Sequence, residues 1–484
     1  MKSVRNLGLG MLLLFFCYSC YDDLDDVLHP SSQLEIKNFI WSAMNNFYLY
    51  KEEVPELAND KFRTQEELDE FLNKFSSPEA LFNDALIAPQ DEFSFLVNDY
   101  VALEKSLDGI NVSNGMQYGL VRYPSTSSKV LGYVRYVLPN TSAEEKGIER
   151  GTLFNTVDGV QLTVDNFSRL LEPATYNIGL AEVAEEEILP TGETITLTKE
   201  EYASNPVYIA KVIETANSTV GYLMYTAFTG SFDSVLNDTF GIFKAEGVTD
   251  LILDLRYNSG GSVASAVDLG SMITGQFNGE IFYTEQWNEE NQEYLLAVQP
   301  ESLINRFNST ISTGAAINNL GLDKVYVITT LRTASASELL INGLNPYIDV
   351  VQIGENTRGK FQASITVYDS PDFRRRAANP GHTYAVQPLI YKTLNAAGVT
   401  DYFDGLPPDI EQPEDIFKLG ILGDVNEPLL QTALDQISGR HQQSTKQRLR
   451  RVYEVVGESG MNEPSYLNMY TEGEFHDISF SFNK

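Results

Sequence analysis

The stretch from 325 to 360 decides how this chain must be read. It runs Val325-Tyr326-Val327-Ile328, then Thr333-Ala334-Ser335-Ala336-Ser337-Glu338, then Val350-Val351-Gln352-Ile353, then Gly354-Glu355-Asn356-Thr357-Arg358-Gly359-Lys360. The two short apolar runs, rich in β-branched residues, read as strands. Between them 339–344 is compatible with a helix, so the order is strand, turn, helix, strand, turn. A small serine-bearing turn between a buried strand and a helix carries its side chain on a rigid support. The free amides and dipole of the helix favour negative charge developing there. A lysine held near such a serine in an apolar pocket loses its proton more easily, because burial disfavours the charged form, and can act as a general base. Neither turn demands this chemistry by itself, since serine is also the commonest helix cap.

Outward from this stretch, residues 206–420 alternate strand-like runs with helical spacing, the signature of an α/β domain. Gly221-Tyr222-Leu223-Met224-Tyr225 and Leu251-Ile252-Leu253-Asp254-Leu255 read as two further strands. Phe232, Val235, Leu236, Phe240 and Phe243 recur at helix spacing between them. Asp254-Leu255-Arg256-Tyr257-Asn258-Ser259-Gly260-Gly261 follows directly. Paired glycines let backbone approach a ligand closely, where an exposed N–H could stabilise an oxyanion, although Gly-Gly after a strand is also an ordinary turn.

Together the three segments resemble the C-terminal processing (tail-specific) serine proteases. That family's pattern is a "DLR.N.GG" strand-turn, a "TASASE" turn and a "GE.T.GK" turn whose lysine follows the serine by 25 residues, as Lys360 follows Ser335 here. Gln387-Pro388-Leu389, Asn395-Ala396-Ala397-Gly398, Asp401-Tyr402 and Gly405-Leu406-Pro407-Pro408-Asp409 resemble its closing section. The likeness covers roughly 115–415. It implies Ser335 as nucleophile, Lys360 as general base, and the backbone amides of Gly260 and Ala336 as the oxyanion hole. It also implies a crotonase-like α/β core, no metal or organic cofactor, and protein or peptide substrates with accessible C-termini. Many members carry a glutamine four residues after the lysine, where this chain has Ser364. Gln362, two residues after the lysine, is expected to point to the other side of a strand. Gln362 and Ser364 are thus candidates for support, and the third catalytic group is unassigned. Ser337 reads as a helix-start residue and Glu338 as support for the helix dipole.

Residues 105–205 change to short alternating strands with glycine and Asn/Asp turns. The segment 132–159 resembles the second half of a PDZ domain, with Thr141-Ser142-Ala143 and Gly151-Thr152-Leu153 as variant forms. Tyr118, Gly119 and Leu120 stand where such domains place their carboxylate-binding loop. PDZ domains add a peptide as an extra strand and capture its terminal carboxylate on backbone amides. Residues 33–104 read as a small helical domain. Ile36, Phe39, Ile40, Ala43 and Phe47 form one apolar face, and Thr64 and Ser77-Pro78 are helix starts. The whole is therefore expected to be a multidomain α+β protein: helical domain (33–104), PDZ-like β domain (105–205), α/β crotonase-like catalytic core (206–420), and a helix with a tail (421–484). Glu427 to Ile437 is the helix. The cluster Lys446, Arg448, Arg450 and Arg451 reads as a solvated face without assigned function.

Lys2 and Arg5 precede an apolar run, 9–16, too short to span a bilayer and of secretory-signal length. Cys20 after Ser19 resembles the lipid-attachment cysteine of bacterial lipoproteins, which makes 1–19 a signal peptide and 20–32 an acidic tether. Tyr21-Asp22-Asp23-Leu24-Asp25-Asp26 resembles the export signal of surface lipoproteins in the Bacteroidetes group, and would equally serve as a solvated tether. The expected location is the cell envelope, lipid-anchored at the outer membrane and exposed at the cell surface. The 484 residues carry a formal net charge of −33, which argues against nucleic-acid binding. The sequence leaves the oligomeric state open. Two rivals remain: a non-catalytic peptide-binding lipoprotein with a protease-like fold, and a serine–histidine esterase using His382.

Overall fold

The computed structural model describes residues 30–123, 127–184, 187–440 and 453–471. Cys20, the acidic stretch behind it and the basic cluster at 446–451 lie outside the described residues.

Thr219–Tyr225, Asp250–Asp254, Lys324–Thr329, Asp349–Gly354 and Ile410–Glu411 form a parallel sheet in that order, with Val207–Glu214 added antiparallel at one edge. Leu251, Ile252 and Leu253 are all fully buried, and that two-sided burial is why these strands read as unbroken apolar runs. Helices Asp233–Ala245, Val263–Thr274 and Ala336–Leu344 connect the strands. Leu236, Phe240 and Phe243 turn inward on the first of these, but Val235 does not. It is 39% exposed, because a residue adjacent to Leu236 is rotated about 100° away from the apolar stripe.

A second sheet runs Gly261–Ser262, Met469–Tyr470, Gln362–Ser364, Leu389–Asn395, Ile281–Trp287, Ile304–Arg306. Its second strand comes from the far C-terminal part of the chain.

Helices Gln33–Phe47, Gln65–Leu72 and Pro78–Ala85 begin at Ser32, Thr64 and Ser77, whose hydroxyls accept from the backbone N–H three residues on. Ile36, Phe39, Ile40, Ala43 and Phe47 are buried. They join one hydrophobic core with Leu253, Leu339 and Ile390 of the α/β part, so this helical region packs onto the sheets instead of standing apart.

The β-rich region has its own core of Met116, Leu120, Val134, Phe154 and Ile178. Its sheet runs Val455–Glu458, Met116–Arg122, Val130–Val137, Leu153–Val157, Thr175–Ala184, Glu187–Thr198. The first of these strands again belongs to the C-terminal segment.

Candidate active site

Parallel neighbours Asp250–Asp254, Lys324–Thr329 and Asp349–Gly354 release their chains at one edge of the sheet, so three turns meet there. The first, 254–261, is anchored by Arg256, which is wholly buried. Its guanidinium pairs with Asp254 (2.8 Å), Glu427 (2.7 Å) and Glu414 (3.0 Å). Glu427 also accepts from Leu430 N and so caps helix Pro428–Ile437, tying that helix to the turn. Bidentate arginine pairs of this kind fix geometry as well as charge.

The serine turn is stitched to this one. Thr333 Oγ1 donates to Leu255 O at 2.8 Å, Ala334 N donates to Asn258 O at 3.1 Å, and Ser337 Oγ donates to the same oxygen at 3.2 Å. Ser335 sits at φ +66°, a backbone conformation that costs a serine free energy and persists only where its surroundings impose it. Its Oγ is buried and has no hydrogen-bond partner among the described residues. Gly260 lies directly against it. A Cβ placed there would stand 2.5 Å from Ser335 Cβ, and φ is +113°, so only glycine fits. The Gly260 N–H donates to Asn258 Oδ1 at 2.9 Å, whereas Ala336 is the first residue of its helix, where amides have no intrahelical acceptor.

Glu338 does more than offset a helix dipole. Its carboxylate, fully buried, accepts from Ser335 N (2.7 Å), Lys360 N (2.9 Å), Gly359 N (2.6 Å) and Thr357 Oγ1 (2.5 Å). One side chain therefore clamps the serine turn to the lysine turn. Burial pushes its carboxyl up to about 7, and the four donated hydrogen bonds oppose that shift.

Lys360 is fully buried, and burial pushes its amine down to about 7, with Asp91 and Glu338 opposing. The Nζ donates to Leu467 O at 2.7 Å and lies 4.9 Å from the centre of the Phe93 ring. Neither candidate support residue reaches it. Gln362 Nε2 donates to Tyr50 Oη, and Ser364 Oγ donates to Asn468 Oδ1 (2.7 Å) and Met469 O (3.1 Å). The alternation argument for Gln362 does not apply, because the strand begins only at Gln362 and positions two apart share a face.

Tyr118, Gly119 and Leu120 lie inside strand Met116–Arg122, not in a loop. Leu120 is a core residue and Gly119 receives the Tyr133 ring, so packing holds them extended, and the strand's outer edge is paired with Val455–Glu458. His382 is engaged elsewhere: Nε2 with Asp369 at 2.9 Å and Nδ1 accepting from Tyr384 N at 3.0 Å. The residues that sequence reasoning missed are the bridging Glu338, the Phe93 wall, and Leu467 and Asn468. Glu338 had a signal, an acid at the third helix position; the other three had none.

Comparison with known proteins gives a consistent picture. A model of peptidase family S41 matches residues 219–411, and a model of the peptidase S41 N-terminal domain matches residues 35–95. The chain is 25% identical over 319 residues to the carboxyl-terminal-processing protease of a Picosynechococcus species, covering 62% of this chain and 65% of that protein. It is 24% identical over 303 residues to the chloroplastic C-terminal processing peptidase of Tetradesmus obliquus, covering 59% of this chain and 57% of that one. The chain thus spans less than two thirds of the length of these curated relatives. A crystal structure of a candidate S41 protease from Bacteroides fragilis superposes with a TM-score of 0.64 at 27% identity, covering 84% of this chain and 98% of that one.

Proposed function

Since the chain belongs to peptidase family S41, we propose that it is a serine endopeptidase that cuts protein or peptide substrates through an acyl-enzyme on Ser335, with Lys360 as general base. The observation that carries this reading is the Glu338 clamp, which holds on adjoining turns a buried lysine and a buried serine hydroxyl that has no hydrogen-bond partner among the described residues. Lys360 is poised near neutrality, so its free amine is available to take a proton at physiological pH. Ser335 Oγ attacks the scissile carbonyl as its proton passes to Lys360 Nζ. The same proton then leaves with the departing amine, and water hydrolyses the ester by the reverse sequence. The Ala336 amide, at a helix N-terminus, is the ready oxyanion donor. Gly260 serves alongside it once its amide is shared with Asn258 Oδ1.

In this reading the α/β part is the crotonase-like core and the β-rich region is the PDZ-like domain that engages substrates with accessible C-termini. Cys20 carries the lipid that anchors the protein at the outer membrane. The deciding experiment is hydrolysis of unfolded casein by the parent beside Ser335→Ala and Lys360→Ala. An active parent with both variants slowed at least about 10³-fold supports the dyad. Equal activity in all three refutes the assignment. An inactive parent that still binds peptide favours the non-catalytic reading.

A further inference from the structure

The segment 453–471 takes no part in the mechanism above, yet it pairs with strand Met116–Arg122 at one end and with the strands that follow the glycine and lysine turns at the other. Val455–Glu458 adds antiparallel to the outer edge of Met116–Arg122, with Glu458 opposite Gly119. Ser459 extends the contact: its N–H donates to Tyr118 O and its Oγ accepts from Tyr118 N, both at 3.0 Å. Glu458 forms a buried pair with Arg135 at 2.5 Å, and the Tyr466 hydroxyl bonds to both Glu458 and Arg332. Met469–Tyr470 then fills the slot between Gly261–Ser262 and Gln362–Ser364, parallel to both. Those two strands begin where the glycine turn and the lysine turn end.

Between its two strands the segment passes over the reactive groups. Leu467 O accepts from Lys360 Nζ. Asn468 O lies 2.9 Å from where a Cβ on Gly260 would stand, and Ser335 Oγ lies 3.0 Å from the same point. Ser364 fixes Asn468 and Met469 from the other side. The two ends of the segment are strand-paired, residues 459–467 between them are a run of turns with Leu467 at φ +52°, and strand pairing like that of the two ends is a way in which a polypeptide is recognised. The ladder bonds themselves are backbone contacts that an unfolded chain could also make, while Glu458, Ser459, Asn468 and Met469 add side-chain contacts of the segment's own.

We propose that residues 453–471 occupy the substrate path as an intramolecular peptide, and that an unfolded polypeptide enters by replacing them. The incoming chain takes the same strand positions, along Met116–Arg122 and between Gly261–Ser262 and Gln362–Ser364. This rests on the peptidase reading and specifies what the site binds. While the segment is in place, Lys360 gives a hydrogen to Leu467 O and Ser335 Oγ has no hydrogen-bond partner among the described residues, so the pair is disengaged. Release frees the amine to turn to the serine. A tethered occupant competes at an effective concentration on the order of millimolar, so only substrates that engage several strand positions together displace it.

The test uses the full chain carrying Ser335→Ala, with backbone amide exchange read across 466–471, with and without excess unfolded casein. Replacement predicts that amides of 469–471 exchange at least ten-fold faster with casein present; unchanged or slower exchange overturns the proposal. This readout needs no turnover, so it is independent of whether the parent hydrolyses casein, which decides the peptidase reading. In the otherwise native chain, Tyr466→Ala removes the clasp to Glu458 and Arg332 and should raise casein hydrolysis at least three-fold at sub-saturating substrate. An equal or lower rate, in a variant that melts at the parent's temperature, overturns it as well.

Discussion

Replacing Glu338 by glutamine separates the clamp from mere bulk. In the parent, Oε1 accepts from Thr357 Oγ1 and Gly359 N, and Oε2 from Ser335 N and Lys360 N. Glutamine keeps one oxygen, enough for one of these pairs, and turns an NH2 group toward the other pair of donors. Two buried donors are left unsatisfied at about 1–3 kcal/mol each, so Glu338→Gln should destabilise the fold by about 2–6 kcal/mol. With a slope near 3 kcal/mol per M, the urea midpoint should fall by roughly 0.7–2 M. The serine and lysine turns also lose their common anchor. A displacement of about 1 Å between reacting groups is worth on the order of 10² in rate, so casein hydrolysis should fall by at least that factor. A variant whose urea midpoint and turnover both match the parent's would refute the clamp.

Three further outcomes follow from the same geometry. Gly260→Ala should abolish hydrolysis, and labelling of Ser335 by a fluorophosphonate probe should slow at least about 10²-fold, because the new methyl collides with Ser335 Cβ at a positive φ. Arg256→Met leaves Asp254 and Glu427 buried without their counter-charge and should cost about 3–5 kcal/mol in urea unfolding; a loss under about 1 kcal/mol would show the cluster to be dispensable. Lys360, held near pH 7 when folded against 10.5 ordinarily, should give a kcat/KM that rises with pH through about 7; a midpoint near 10 would refute the lowering of this amine by burial. The stability linked to this amine has the same direction. Between about 7 and 10.5 the unfolded chain holds a proton that the folded one lacks, so the contribution is complete above 10.5 and is lost as pH falls toward 7. Comparing parent with Lys360→Met across that window measures it.

The parallel strands and their helices were legible because burial on both faces writes continuous apolar runs, as at 251–253 and 325–328. The helix caps at Thr64 and Ser77 were legible because capping is local, a matter of residues three apart. The serine and lysine turns were visible as strand-end punctuation, and their joint reading came from resemblance to a family. What could not be read was contact at long separation. Glu338 satisfies amides 21 and 22 residues downstream, which no periodicity announces. The C-terminal strands Val455–Glu458 and Met469–Tyr470 are four and two residues long, too short to show alternation. Met469 joins the main hydrophobic core and Tyr470 is buried beside it, but a two-residue run carries no pattern that announces this. Tyr118–Leu120 misled for a related reason: a glycine in an apolar run suits a binding loop and also suits a strand crossed by the Tyr133 ring.

The surroundings of Lys360 bear on modularity. The ring beneath its amine is Phe93, the hydroxyl that holds Gln362 is Tyr50, and both come from the helical region at the front of the chain. Excised by itself, the α/β portion would keep its serine and lysine but open the amine to water. There it would regain ordinary basicity and stay an ammonium ion at neutral pH. The reactive pair is thus the joint property of two stretches nearly three hundred residues apart. Recombination or grafting that moved one without the other would carry over the shape of the site and leave its reactivity behind.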